Sequence, residues 1–423
     1  MSTPQNKPLG KAQWMVLFAA LLGWMFDGLE MGLFPIAARP ALIDLMKVGG
    51  GAAPSPAAEA MVAEWISYLT ALFLLGAACG GVLFGWLGDK LGRVRSMALS
   101  ILAYSFFTGC CYFAQQPWQL GVCRFASSLG MGGEWALGVA LVMECWPERL
   151  RPVLAGVIGA AGNTGYLLIA ALAMTFKVTP DSWRWTMLAG ALPALLAFFV
   201  IALIPESDKW KESVKKGPVK PFREIFGPKL LRPTLLATAF ATIALIGTWG
   251  AVTGFLPSWA DQLAGPQNPY AKGTVQFVVS IGAIIGCFCA PIIGGKFGRR
   301  PTYFGLCLFS LLVCGFLFFG LREYNLLFLI MAGLAGCGTA SFYGWLPLYL
   351  PELFPTRVRT TGQGLSYNFG RIFAAVGVLC TGQLMHFFGG SYPHACGTII
   401  LVYVIGMVLI WFAPETKGKP LPE

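Results

Sequence analysis

Asp27 and Glu30 stand three residues apart in the stretch WMFDGLEMGLFPI, and no other ionisable side chain occurs between Trp14 and Ile36. That spacing puts both on one helical face. A charged side chain at the centre of a membrane helix costs roughly 2.5–3.5 kcal/mol on insertion scales, so such residues are kept for pairing or exchange. Three more lie deep in apolar blocks: Arg124, Glu134 and Arg371. Acids there can take up and release protons, and a guanidinium can grip a carboxylate through two parallel hydrogen bonds. At ~1.5 Å per residue, Asp27 lies about 20 Å along its span from Trp14, and Arg124 reaches a similar depth from the other side. The shared depth leaves an Asp27–Arg124 pair open, in which Asp27 is expected to act as a proton switch. Glu30, one turn outward, is expected to hand protons inward, and Glu134, deeper along its helix, to pass them on or hold a salt bridge. Arg371, roughly 17 Å into its own span, meets no obvious acid in its half of the chain and is expected to bind an anion. Asn368, three residues earlier, is placed on the same face to add a hydrogen bond.

Little else offers chemistry. The 12 cysteines lie almost all in apolar blocks, Cys79, Cys287 and Cys307 among them, and read as small packing residues. No paired nucleophile and base, metal-ligand cluster or nucleotide loop occurs, so no enzyme, cofactor or metal site is expected. The net charge of +11 reflects topology here rather than a nucleic-acid partner.

Helices must position these groups. The 423 residues are 56% hydrophobic and 12% charged, against about 25% charged in a typical soluble domain. Mean hydropathy is +0.67. The blocks predict twelve spans near 14–37, 64–87, 97–115, 118–142, 153–176, 184–204, 234–260, 275–294, 302–321, 325–347, 361–388 and 395–413. Of 30 lysines and arginines, 22 fall in one set of alternate loops and six in the other, with Arg124 and Arg371 inside spans. By the positive-inside rule both termini are cytoplasmic.

The chain also repeats itself. GWLGDKLGRVRS (85–96) superposes on PIIGGKFGRRPT (291–302), ECWPERLRPVLAG (144–156) on ELFPTRVRTTGQG (352–364), and PES (205–207) on PET (414–416), all at offsets near half the length. This predicts an all-α integral membrane protein of twelve transmembrane helices in two six-helix halves related by pseudo-two-fold symmetry. The halves are 1–205 and 233–423, joined by a basic linker, 206–232. Glu144 with Arg151 and Glu352 with Arg359 read as matching ion-pair clusters.

The pattern resembles the major facilitator superfamily over essentially the whole chain. GWLGDKLGRVRS matches that family's signature between the second and third spans, and the resemblance assigns a conformational latch to Gly85, Asp89, Gly92 and Arg93. The second copy departs from it, with Gly295 where Asp89 stands in the first. RFASSLGMGGEW (124–135) is similar to the fourth-span motif of metabolite:proton symporters, and Arg371 after Asn368 to the eleventh span of organic-acid symporters. Candidates for the substrate wall are Trp249 and Phe255, Tyr343 and Trp345, Tyr166 beside Asn163, and the polar Gln276. The resemblance implies a monomeric proton-coupled symporter of a small organic anion, such as an aromatic, sugar or dicarboxylic acid. It would work by alternating access in the plasma membrane, with the anion, protons and bilayer lipid as its partners. PETKG (414–418) and PELFPTRVR (351–359) also resemble sugar porters, so a sugar or polyol symporter is the rival, and proton-driven efflux a third reading. A non-transporting sensor would need an appended domain, against which the short termini argue.

Overall fold

The computed structural model describes residues 10–48, 55–176, 178–217, 219–265, 268 and 270–423. Eleven helical stretches among them are long and apolar enough to cross a membrane: Lys11–Met46, Ala57–Leu91, Arg93–Phe113, Pro117–Cys145, Glu148–Ile169, Trp183–Leu203, Leu231–Ala264, Ala271–Phe297, Arg299–Gly320, Leu326–Leu353 and Tyr392–Phe412. The remaining span, eleventh in order, is the helix Arg359–Leu379. Its polar residues are turned inward: Thr360, Thr361, Gln363, Ser366 and Asn368 are all fully buried. Hydropathy is lowest where a helix faces protein instead of lipid.

Local signals set several ends. Ser55 accepts from the amide of Ala58 with Pro56 behind it, and Asn325 accepts from the amide of Phe328, both ordinary helix starts. The first span runs nine residues past its predicted end at 37, to Met46. There Asp44 receives the indole N–H of Trp183 at 2.9 Å and pairs with Arg184. The sixth span breaks between Trp183–Ala189 and Ala194–Leu203, and the seventh widens into a π-helical stretch at Ile246–Thr253, a feature frequent at functional sites.

Small residues let the helices close up. A methyl group added at Gly28, Gly80 or Gly132 would run into the backbone of Gly162, Leu129 or Ala77 respectively. The spans form two halves of six. Two long contacts join the halves, spans two with eleven and five with eight, which the repeat interchanges. The start of the first span and the C-terminal segment lie at one end: the indole of Trp146 donates to Gln13 O, and the amide of Thr356 to Pro422 O.

Candidate functional site

A cavity of about 90 Å³ lies between the halves, room for roughly three waters at ~30 Å³ each. Arg371 and Tyr367 face it from the eleventh span, Trp249 and Thr248 from the seventh, Gln276 from the eighth, Tyr343 from the tenth, and Asn163 with Tyr166 from the fifth. Of the nine residues expected to meet a substrate, six therefore share this cavity. Asn368 does not. Its amide nitrogen donates to Gly132 O at 2.9 Å and to Gly364 O at 3.0 Å, and its side chain packs where a Cβ of Gly81 would point. Three residues of helix turn it from Arg371 towards the contact between spans. Tyr367, four residues before Arg371, takes the place that Asn368 was expected to hold. Its ring stacks on Trp135 at 3.8 Å and meets Trp24 and Tyr343 edge-on at 6.3 Å. The i, i+4 spacing from Arg371 could have found it. Trp345 is fully buried among Phe240, Tyr303 and Tyr349, and Phe255 packs on Tyr392. Both belong to packing.

The acids sort differently from expectation. Arg124 pairs with Glu30, not with Asp27. Glutamate's extra methylene and one further turn outward carry Glu30 to the guanidinium, whereas the shorter Asp27 ends opposite Glu134 of the same fourth span. Thr108 donates to Glu30 at 3.0 Å and shares a 2.7 Å hydrogen bond with Ser127. The rings of Phe34 and Phe73 lie 4.4 and 4.6 Å from the Arg124 guanidinium carbon. Glu30 is thus sealed in an ion pair, 1% exposed. Asp27 and Glu134 are equally buried, and no N–H or hydroxyl donor hydrogen-bonds either carboxyl group among the described residues. Arg371, 4% exposed, makes no ion pair or hydrogen bond among the described residues, and its Nη1 is a buried orphan.

The end that carries the termini is tied shut. Asp89 accepts from the amides of Thr360 and Thr361 at 3.2 and 2.9 Å, from their hydroxyls at 2.8 and 2.6 Å, and from Arg93 at 3.0 Å. Its charge meets the open N–H groups at the start of the eleventh span. Gly85 gives its carbonyl to Thr360 Oγ1 at 2.7 Å. Arg93 Nη2 reaches Thr356 O at 2.5 Å and Glu144 at 3.1 Å, and Glu144 also takes Arg359 at 2.7 Å. The expected Glu144–Arg151 and Glu352–Arg359 clusters are therefore re-paired. Glu144 crosses to Arg359 of the other half. Glu352 holds Arg299 with two bonds of 2.9 and 2.6 Å, and Arg151 pairs with Glu148 at 3.1 Å.

Gly92 and its repeat partner Gly298 take φ of +105° and +104°, open to glycine without cost. The turn delivers the next two amides to Glu206 at 3.0 and 3.1 Å in one half and to Glu415 at 2.9 and 3.0 Å in the other. These caps were visible only as the PES and PET repeat. Burial holds the Glu206 carboxyl above its ordinary range despite its amide donors. At the more exposed Glu415, burial also pushes upward but is outweighed by the amides of Arg299, Arg300 and Lys417, and the carboxyl sits below its ordinary range.

Comparison with known proteins follows the same outline. The chain is 28% identical over 428 residues to a probable 4-methylmuconolactone transporter of Cupriavidus pinatubonensis, covering 98% of this chain and 92% of that protein. It is 27% identical over 415 residues to the sialic acid transporter NanX of Escherichia coli, 97% and 96% covered. The solved proton:xylose symporter XylE superposes with a TM-score of 0.76 at 17% identity, covering 97% of this chain and 98% of that one, a likeness of fold. Residues 14–378 match the description of the Major Facilitator Superfamily. The chain belongs to that superfamily, as a multi-pass membrane transporter and not an enzyme.

Proposed function

We propose that the protein is a proton-coupled symporter of a small organic anion, gripped by Arg371 in the central cavity. Arg371 carries the reading. Of the two guanidiniums deep within spans, Arg124 is neutralised by Glu30 and shielded by two phenyl rings, while Arg371 faces the cavity without an ion pair or hydrogen bond among the described residues, and Asp27 acts on it only from a distance. A carboxylate supplies the missing partner. The aromatic rings beside it, Trp24, Tyr166, Trp249, Tyr343 and Tyr367, suit a flat, mostly apolar body with one acid group. The relative NanX is named for an acid as well.

Proton coupling is assigned to the Asp27–Glu134 pair. Two carboxyl groups facing each other in a dry interior share a proton more readily than two charges. Trp24 and Gly28, which flank Asp27 in sequence, line the cavity, and Trp135, next to Glu134, stacks on Tyr367 one turn from Arg371. Cargo and proton then balance in charge: the anion brings one negative charge to Arg371, and the proton removes one from the pair. The halves 1–205 and 233–423 rock about the cavity of a single monomer, with both termini cytoplasmic. The tied end makes this arrangement closed towards the cytoplasm.

Uptake into proteoliposomes under an inward proton gradient tests the reading, with aromatic, sugar and dicarboxylic acids and neutral sugars as candidate cargo. Arg371→Ala should lower anion uptake about 10- to 100-fold, the worth of a hydrogen-bonded charge pair. Asp27→Asn should abolish accumulation against a gradient but retain counterflow exchange. A neutral sugar carried equally well by parent and Arg371→Ala would overturn the anion assignment, and undiminished accumulation by Asp27→Asn the proton assignment.

A further inference from the structure

A second, larger cavity lies away from the substrate site. It is a groove of about 500 Å³ in the C-terminal half, lined by Gly286 and Ile293 of the eighth span, Gly305 and Phe309 of the ninth and Cys337 of the tenth. The only polar side chains on its walls are Thr302 and Ser341, besides cysteines. Ile293 is 43% and Phe297 62% exposed along its edge, on helices that cross a membrane, so the groove opens to hydrocarbon.

Two observations separate it from ordinary lipid-facing surface. Gly305 leaves its floor open: a Cβ added there meets nothing within 4 Å. The repeat puts Leu99, 46% exposed, at the equivalent position of the other half, so the depth comes from a glycine that this half alone carries. Charge gathers at the end nearest the termini. The Lys296 ammonium lies 5.5 Å from the centroid of Phe297, itself a wall of the groove, and Lys417 Nζ donates to Lys296 O at 2.7 Å. Glu415, two residues before Lys417, is engaged by the amides of Arg299, Arg300 and Lys417.

We propose that this groove holds one anionic phospholipid, an acyl chain lying over Gly305 and the headgroup phosphate on Lys296 and Lys417. The apolar walls recognise the chain by burial. The lysine pair recognises the charge, as basic clusters at the membrane surface do. Because Cys337 follows Gly336 of the substrate cavity, the occupant would brace the tenth span from the side opposite the cargo.

Native mass spectrometry of the full chain, equilibrated with detergent micelles containing equal amounts of phosphatidylglycerol and phosphatidylcholine, tests this. The parent should retain one phosphatidylglycerol in preference. Gly305→Leu, which copies the other half, should cut retention of either lipid about tenfold by displacing buried methylenes. Replacing Lys296 and Lys417 by glutamine should erase the preference, about fivefold per lysine, with the chain site intact. These lysines are exposed, so this variant reports on the headgroup site even where the leucine disturbs packing. Equal retention of both lipids by the parent, or undiminished retention by Gly305→Leu, would overturn the proposal.

Discussion

The two long contacts between the halves are related by the repeat, yet they are built from opposite chemistry. Where the second span meets the eleventh, Asp89 receives the amides of Thr360 and Thr361. Where the eighth meets the fifth, Gly295 stands in place of the acid, and a Cβ there would lie 2.8 Å from the ring of Pro152. Pro152 is the repeat partner of Thr360 and has no N–H to give. The acceptor and one of its two amide donors are lost together, while Val153, the partner of Thr361, keeps its N–H. A carboxylate at Gly295 would be a half-buried charge facing a proline ring, and an amide at Pro152 a half-buried donor without that acceptor. The pair of substitutions turns one polar contact into an apolar one that needs no ions. One interface is therefore held by hydrogen bonds and its counterpart by van der Waals contact.

The largest effect should follow from removing the acid of the polar interface. Asp89→Asn replaces an acceptor of five bonds by a group that turns N–H donors towards other donors, and it leaves Arg93 partly uncompensated. Breaking a buried pair costs about 3–5 kcal/mol, enough to shift the closed population more than a hundredfold. Spin labels at Arg95 and Arg357, on opposite halves at the closed end, should show a longer distance distribution. An unchanged distribution would mean that the gate does not depend on Asp89.

A smaller contrast separates the two glutamates of the repeat. Glu144 bridges the halves through Arg93 and Arg359, while Glu352 is held by Arg299 and Thr416 within its own half. Glu144→Gln should shift the same distance distribution and change the transport rate about tenfold, the worth of a hydrogen bond to a charged group. Glu352→Gln should lower the melting temperature and leave the distances alone. Equal distance shifts from both would show that the halves share the two clusters alike.

The sequence made the spans, the repeat and most cavity residues legible, because each rests on a long pattern or on a charge with nowhere else to go. Pairings were less legible. Depth arithmetic resolves a turn of helix at best, and the choice between Asp27 and Glu30 for Arg124 turned on one turn and one methylene. Asn368 was misplaced because three residues of helix keep a side chain near a face without fixing which of two neighbours it touches. Tyr367 was missed because a lone aromatic among many looks like packing until the rings around it are in place. The re-pairing of Glu144 to Arg359 crosses the halves, and no internal repeat can signal a contact between its own copies.

The finest test exchanges the chemistry of the two interfaces. Gly295→Asp alone places a carboxylate against the Pro152 ring, and overpacking of this kind costs about 1–3 kcal/mol. Pro152→Thr alone removes the ring but frees a half-buried amide with no protein acceptor in place, about 1 kcal/mol. Together the two changes recreate the pair that Asp89 and Thr360 form, with an amide and a hydroxyl available to the new acid. The double variant should then be less destabilised than the sum of the singles by about 1 kcal/mol, a coupling readable from melting temperatures in a double-mutant cycle. It should also transport more slowly than either single variant, because both interfaces would have to unlock in each turnover. Strict additivity would show that the apolar contact at Gly295 and Pro152 is not the polar one with its donor and acceptor removed, and that the difference between the halves lies elsewhere.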